Sequence, residues 1–208
     1  PARDALMQLK LRDFYKFVNA AGRPKDEIEA AMKRVDYRLT DHLQVTATAT
    51  NIGSTAEPYG YGAHPYLSVG RPVDECVLEF TAAERLELSD RMSPTGSVPV
   101  AGSPYDFRGG RAIGSTVIDN AFTGLDDNWS VSLTDPATGA RSVLSSNTKW
   151  MQLFTGEPVG RSALAVEPMT CPSHASGDTH RPPCRRAGGS RFGCLPARLR
   201  GIRLSRRG

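Results

Sequence analysis

Two ionisable side chains, His64 and Glu167, occupy the same kind of position in two predicted strands. Alternate side chains of an extended strand share a face, which places glycines beside His64 and alanines beside Glu167. A proline follows each residue, as is typical of a strand end or a sheet rim. An imidazole and a carboxylate beside open space can act as general acid and general base, so we predict a catalytic pair.

Both residues have a structural alternative that the sequence leaves open. A single histidine in a strand rich in Gly, Pro and Tyr can be a turn or packing residue, whereas a carboxylate that ends an apolar strand needs a partner because burying an unpaired charge is costly. Gln152 shares a predicted face with Trp150 and Phe154, which suits a sugar, because rings cover C–H surface and an amide binds hydroxyls. A half-buried strand with a surface glutamine explains the same spacing.

The elements that must position these residues are predominantly strands. Residues 36–175 contain short alternating segments separated by turn signals, including a hairpin around Thr40 to His42 and a loop from Pro94 to Pro104. This pattern predicts an all-β antiparallel sandwich. Residues 1–35 differ in composition and have apolar residues at helical spacing, so we predict a helical N-terminal segment there.

The charge is concentrated in one part of the chain. The net charge is +4, yet residues 176–208 hold nine arginines, no lysine and one acid, which leaves the first 175 residues net acidic. We predict that this Arg-rich tail is disordered; out-of-frame translation near Gly177 would also produce its composition. Phosphate contacts would be the nucleic-acid alternative, but Phe192 is the only aromatic residue in the tail and we do not expect that function.

Cysteine and hydropathy patterns give weaker signals. Cys171 with His174, and His180 with Cys184, imitate zinc-ligand spacing, but the four cysteines form no disulfide framework and we expect no metal. There is no apolar run of about 18 residues and no signal-peptide pattern in the charged first 22 residues, so we expect no membrane span and a cytoplasmic location.

Taken together, these segments resemble the aldose 1-epimerase (galactose mutarotase) family of bacteria. The stretches that carry the resemblance follow the family's order and are Tyr37-Arg-Leu-Thr-Asp, Thr48-Ala-Thr-Asn, Pro58-Tyr-Gly-Tyr-Gly-Ala-His-Pro-Tyr-Leu, Asp119-Asn-Ala-Phe-Thr, Trp150-Met-Gln-Leu-Phe-Thr-Gly and Ala165-Val-Glu-Pro-Met-Thr-Cys-Pro. The resemblance implies a galactose mutarotase-type sandwich with the sugar bound on one sheet. It also implies an isomerase that interconverts the α and β anomers of an aldose without a cofactor.

The resemblance assigns roles to individual residues. It implies that Glu167 is the general base and His64 the general acid, and that Asp119 and Gln152 hold sugar hydroxyls. Tyr66 shares the His64 face and completes the predicted substrate-binding residues. Family members are longer, and the part without a counterpart here is N-terminal. We therefore expect an incomplete sandwich whose site lacks some residues, which leaves either an isomerase or an inactive member of the family. A noncatalytic carbohydrate-binding module is the alternative.

Two further expectations concern partners. Exposed sheet edges in an incomplete sandwich would favour self-association. A phosphorylated sugar would need basic residues at the cleft, for which Arg71, Arg108 and Arg111 are candidates.

Overall fold

A computed structural model describes residues 32–40, 42–49, 61–89, 94–172 and 197–205. These residues form thirteen strands, β1 to β13 in chain order, and two single-turn 3-10 helices, Val73–Glu75 and Glu157–Val159. The strands are Met32–Leu39, Leu43–Ala49, Tyr66–Leu67, Val77–Phe80, Glu84–Leu88, Pro94–Pro99, Arg111–Ala112, Asp119–Thr123, Trp129–Thr134, Arg141–Ser146, Trp150–Phe154, Leu164–Met169 and Ala197–Ser205.

The strands form two antiparallel sheets. The seven-stranded sheet has the order β1-β2-β13-β10-β9-β4-β7, and the six-stranded sheet has the order β3-β12-β11-β8-β5-β6. The prediction of an all-β antiparallel sandwich is therefore confirmed, as is the hairpin around Thr40 to His42, where Leu39 pairs with Leu43. No helix within the described ranges is long and apolar enough to cross a membrane.

Apolar residues at alternate positions along the strands build the core between the sheets. Val131 and Leu133 of β9 contribute from the seven-stranded sheet, while Met151 and Leu153 of β11 contribute from the six-stranded sheet, and all four are fully buried. Burying side chains of this size contributes about 1.5–3 kcal/mol each. The other residues of β11, which are Trp150, Gln152 and Phe154, point to the outer face and are half-buried. The six-stranded sheet thus offers one apolar inner face and one mixed outer face.

Three predictions about individual segments need correction. Strand β1 begins at Met32 rather than at Asp36, so the helical prediction is wrong for residues 32–35, and the rest of that segment lies outside the described residues. Pro94–Pro99 is edge strand β6 rather than loop, with its prolines at the strand ends, where a missing N–H is tolerated.

The third correction concerns the Arg-rich tail. Ala197–Ser205 forms strand β13, which pairs with β2 on one side and β10 on the other, so disorder is the wrong prediction for these residues. Main-chain groups on both neighbouring strands hydrogen-bond with this segment, and its sequence contains no proline that would interrupt such pairing. The other residues of the tail lie outside the described ranges.

One tight turn depends on a glycine. Gly124 follows β8 with a φ of +64°, and a Cβ at this position would lie 2.5 Å from the Cβ of Ala83. The backbone of Ala83 donates hydrogen bonds to the carbonyls of Thr123 and Gly124. Only glycine combines this backbone conformation with such a close approach.

Candidate active site

The strand register brings His64 and Glu167 together. Tyr66 pairs with Ala165 and Leu67 pairs with Leu164, and Gly62 forms a bridge with Met169 at the same offset. This constant offset places His64 directly opposite Glu167, although the two residues are far apart in the chain. Their pair makes no mutual backbone hydrogen bonds, and in antiparallel sheets such pairs have the closer side chains.

The two side chains are in direct contact. His64 Nε2 lies 3.0 Å from Glu167 Oε1, and each side chain is 20% exposed. Small residues flank the pair on one side of each residue, Gly62 and Ala165, whereas Tyr66 and Met169 flank it on the other. The expected hollow between the two groups is absent, because the atoms already lie at hydrogen-bond distance. The structure therefore shows an imidazole and a carboxylate that contact each other and are both partly exposed to solvent.

The opposite face of the His64 segment is buried, which anchors the segment. Tyr61 and Ala63 pack with Val45 and Ala47 of β2, in a cluster separate from the main core. The alternation predicted for this segment is therefore correct, because the residues flanking His64 are buried while His64 itself is half-buried. Contact with β2 connects the catalytic candidate to the seven-stranded sheet.

Gln152 and Asp119 extend the same face of the six-stranded sheet. Gln152 pairs with Glu167 across β11 and β12, and Asp119 pairs with Phe154 across β8 and β11. The Gln152 amide donates a hydrogen bond of 2.6 Å to Asp119 Oδ1. The predicted hydroxyl-binding residues are therefore beside the acid–base pair, and they hold each other in place.

Tyr66 lies on the other side of His64. The two ring centroids are 4.9 Å apart, with an angle of 36° between the planes. This contact limits how far the imidazole can turn. The structure thus brings all five predicted site residues onto one outer face of one sheet.

The connection between β11 and β12 contains residues that the sequence did not identify. Arg161 has a φ of +53° and a guanidinium that is 16% exposed. It donates to the carboxylates of Asp74 and Glu157 and to the backbone carbonyls of Gly114 and Thr116. The available sequence signal was the pair of glycines, Gly156 and Gly160, that flank Glu157–Val159 just before Arg161.

Glu157 is the main partner of Arg161 within this connection. Burial disfavours its charged form, but hydrogen bonds from Thr155 and Arg161 outweigh burial and lower the pKa of Glu157 below its ordinary value. Its Oε1 accepts from Thr155 at 2.5 Å and from Arg161 at 2.6 Å. The network fixes the loop at the ends of the two strands that carry Gln152 and Glu167.

The three arginines considered for a phosphate have local partners. Arg71 binds Glu75, and Arg108 donates to both carboxylate oxygens of Asp106. Arg111 donates to the backbone carbonyl of Asp106, and its guanidinium lies 3.8 Å from the centre of the Phe107 ring. The six-stranded sheet that carries His64 contains none of the three.

No group of three or more His, Cys, Asp or Glu side chains suited to a metal ion is found in the described parts of the chain. The predicted zinc alternative is not tested by this, because three of its four residues, His174, His180 and Cys184, lie outside them. Cys76 is fully buried, and burial raises the pKa of its thiol to about 11, so the thiol stays protonated at neutral pH.

Comparison with known proteins agrees with the fold. Residues 30–182 match the family model for aldose 1-epimerase. The chain is also 35% identical over 145 residues to YihR, an uncharacterized protein of Escherichia coli (strain K12), and the match covers 68% of this chain and 47% of YihR. The chain belongs to the aldose 1-epimerase family.

Solved structures show the same fold. A galactose mutarotase-like protein from Clostridium acetobutylicum has a TM-score of 0.57 at 21% identity, over 65% of this chain and 44% of that protein. The galactose 1-epimerase from Lactobacillus acidophilus NCFM has a TM-score of 0.50 at 18% identity, over 63% and 45% of the two chains. The chain spans about half the length of the relatives it matches.

Proposed function

We propose that this chain provides the acid–base site of an aldose 1-epimerase, which interconverts the α and β anomers of an aldose. The observation that carries the proposal is the contact between His64 and Glu167, beside two polar side chains suited to sugar hydroxyls. Family membership supports the class of reaction, the family resemblance supplies the residue roles, and the contact is compatible with those roles.

Glu167 and His64 move two protons in opposite directions. The Glu167 carboxylate removes the proton from the C1 hydroxyl while the protonated imidazole of His64 gives its proton to the ring oxygen. The C1–O5 bond breaks, C1 becomes an aldehyde, and rotation about C1–C2 presents its other face. Ring closure returns both protons to their donors. Each transfer of this kind contributes about 10²–10⁴ in rate.

The direct contact gives the site a defined resting arrangement. A sugar that enters must replace it with two new hydrogen bonds, one from the C1 hydroxyl to Glu167 and one from His64 to the ring oxygen. Partial exposure leaves both side chains room to move apart. Gln152 and Asp119 lie close enough to hold other hydroxyls during this exchange.

Polarimetry on freshly dissolved α-D-galactose and α-D-glucose tests the proposal. We expect the chain to accelerate mutarotation, and we expect Glu167→Gln and His64→Gln each to reduce kcat by about 10²–10⁴. Glu79→Gln is the matched control, because Glu79 lies on β4 of the other sheet and pairs with Arg141. Equal activity in Glu167→Gln and Glu79→Gln would contradict the assigned roles.

A noncatalytic carbohydrate-binding module is the second candidate. The observation in its favour is the distance of 3.0 Å between the two side chains, because a hemiacetal fits between them only if they move apart. Calorimetric titration with the same sugars separates the two candidates. Binding without faster mutarotation would support the module.

An unphosphorylated aldose is the proposed substrate class. Arg71, Arg108 and Arg111 are engaged by local carboxylates or carbonyls, and a phosphate at the sugar's far end would need such groups at the cleft. We expect galactose or glucose to be a better substrate than glucose 6-phosphate, as measured by kcat/KM. A clear preference for the phosphate ester would contradict this choice.

A further inference from the structure

The ladder that holds His64 opposite Glu167 is weakened by two prolines. The strand offset pairs residue 61 with 170, 63 with 168, and 65 with 166. These are the hydrogen-bonded pairs of the ladder, in which the backbone N–H and C=O groups face the partner strand. In an antiparallel ladder such a pair normally exchanges two hydrogen bonds. Pro65 and Pro168 have no N–H, so their pairs can form only one.

The structure contains these single bonds. The Ala63 N–H donates to the Pro168 carbonyl at 3.2 Å, and the Val166 N–H donates to the Pro65 carbonyl at 3.0 Å. They flank the His64–Glu167 pair on both sides. The contact between the two catalytic candidates is therefore supported by half of the usual backbone bonds.

The next pair along the ladder has an additional side-chain bond. The Thr170 N–H donates to the Tyr61 carbonyl at 2.9 Å, and the Tyr61 N–H donates to Thr170 Oγ1 at 2.8 Å. The Thr170 hydroxyl also donates to the Tyr61 carbonyl at 3.3 Å. The hydroxyl thus closes the ladder three residues beyond both His64 and Glu167.

We propose that Thr170 is a positioning residue, whose hydroxyl keeps the His64 segment in register against the Glu167 strand. This inference rests on the proposed function for its effect on catalysis. One net hydrogen bond of this kind favours the paired arrangement by about 2- to 10-fold, and the two prolines already remove two others from this ladder. Displacement of an acid relative to a base by about 1 Å can cost up to about 10²-fold in rate.

Thr170→Val tests the role, because valine keeps the shape and the backbone N–H while it removes the hydroxyl. We expect the Ala63 amide to exchange with solvent about 5- to 10-fold faster. We expect kcat for mutarotation to fall by about tenfold, with KM within about twofold of the wild-type value, because sugar-binding Gln152 is held from another strand. Thr170→Ser retains the hydroxyl and should restore both quantities.

Thr138→Val is the matched control. Thr138 also loses a hydroxyl hydrogen bond, to Asp135 at 2.5 Å, but it lies in the β9–β10 turn of the other sheet. It should leave Ala63 exchange and kcat unchanged.

The two arms separate this inference from the proposed function. If wild-type protein fails to accelerate mutarotation, the proposed function fails, while Ala63 exchange still decides whether Thr170 holds the ladder. Unchanged exchange in Thr170→Val would overturn the inference. Faster exchange with an unchanged kcat would overturn the positioning role, and a loss of kcat that Thr170→Ser does not restore would also overturn it.

Discussion

The contact between His64 and Glu167 should be measurable as a coupling free energy in a double-mutant cycle. His64→Leu, Glu167→Met and the double variant remove the charges and the hydrogen bond without large changes in volume. An exposed ion pair contributes about 0.2–1 kcal/mol, and a hydrogen bond to a charged group contributes about 1.5–3 kcal/mol. With a separation of 3.0 Å and side chains 20% exposed, we expect a coupling of about 1 kcal/mol.

Urea unfolding of the four proteins, followed by circular dichroism, gives this coupling from the difference in unfolding free energies. The Arg141–Glu79 pair is the control, because its atoms are 3.4 Å apart and its side chains are 46% and 49% exposed. Its cycle, with Arg141→Met and Glu79→Gln, should give less than about 0.5 kcal/mol. If the effects of the two substitutions on the unfolding free energy are additive within error, the two side chains do not contact each other in solution and the proposed site is wrong.

Three further predictions concern the scaffold. Gly124→Ala should lower the unfolding free energy, measured in urea, by about 2–4 kcal/mol, because backbone strain at positive φ adds to the steric overlap with Ala83. Gly139→Ala is the control and should cost about 1 kcal/mol, because Gly139 has a φ of +71° but open space around it. Equal losses would contradict the close approach at Gly124. In mass-mapped alkylation at pH 8, buried Cys76 should react far more slowly than half-buried Cys171, and equal rates would argue against burial. The pKa of Glu157 is lowered, so the stabilisation from its carboxylate is complete above pH 4.5 and is lost as the pH falls further. Glu157→Gln should therefore reduce the loss of unfolding free energy below pH 4.5, and an unchanged loss would exclude the effect.

Local patterns in the sequence identified His64, Glu167 and Gln152 of the candidate site, whereas Asp119 came from the family resemblance. Proline and small neighbours marked His64 and Glu167 as strand-end residues, and alternation placed Gln152 with two aromatic rings on one face. The structure agrees with the alternation, which depends only on the backbone of each strand. Glu167 is not at a strand end, however, because β12 continues through Pro168 to Met169. Family resemblance supplied the roles of these residues, which remain proposals.

Distances and register could not be predicted, because they depend on how separate strands pair. The direct contact of His64 with Glu167 follows from an offset that no local pattern specifies. The hydrogen bonds between Thr170 and Tyr61 could not be predicted for the same reason. Strand β13 was missed because arginine-rich composition indicates solvation, whereas its main chain pairs with two strands. Self-association stays a prediction. The exposure of Leu39, which lies on edge strand β1 and is 62% exposed, is compatible with it.

Magnetisation exchange between the α and β anomeric protons of galactose at equilibrium tests the central claim most directly, because the sugar itself reports proton shuttling and no net conversion is needed. With wild-type protein we expect exchange well above the buffer rate, and with Glu167→Gln we expect about one hundredth of that protein-dependent increase, because the substitution should cost about 10²-fold in rate. Equal exchange with wild-type protein and with Glu167→Gln would contradict the account.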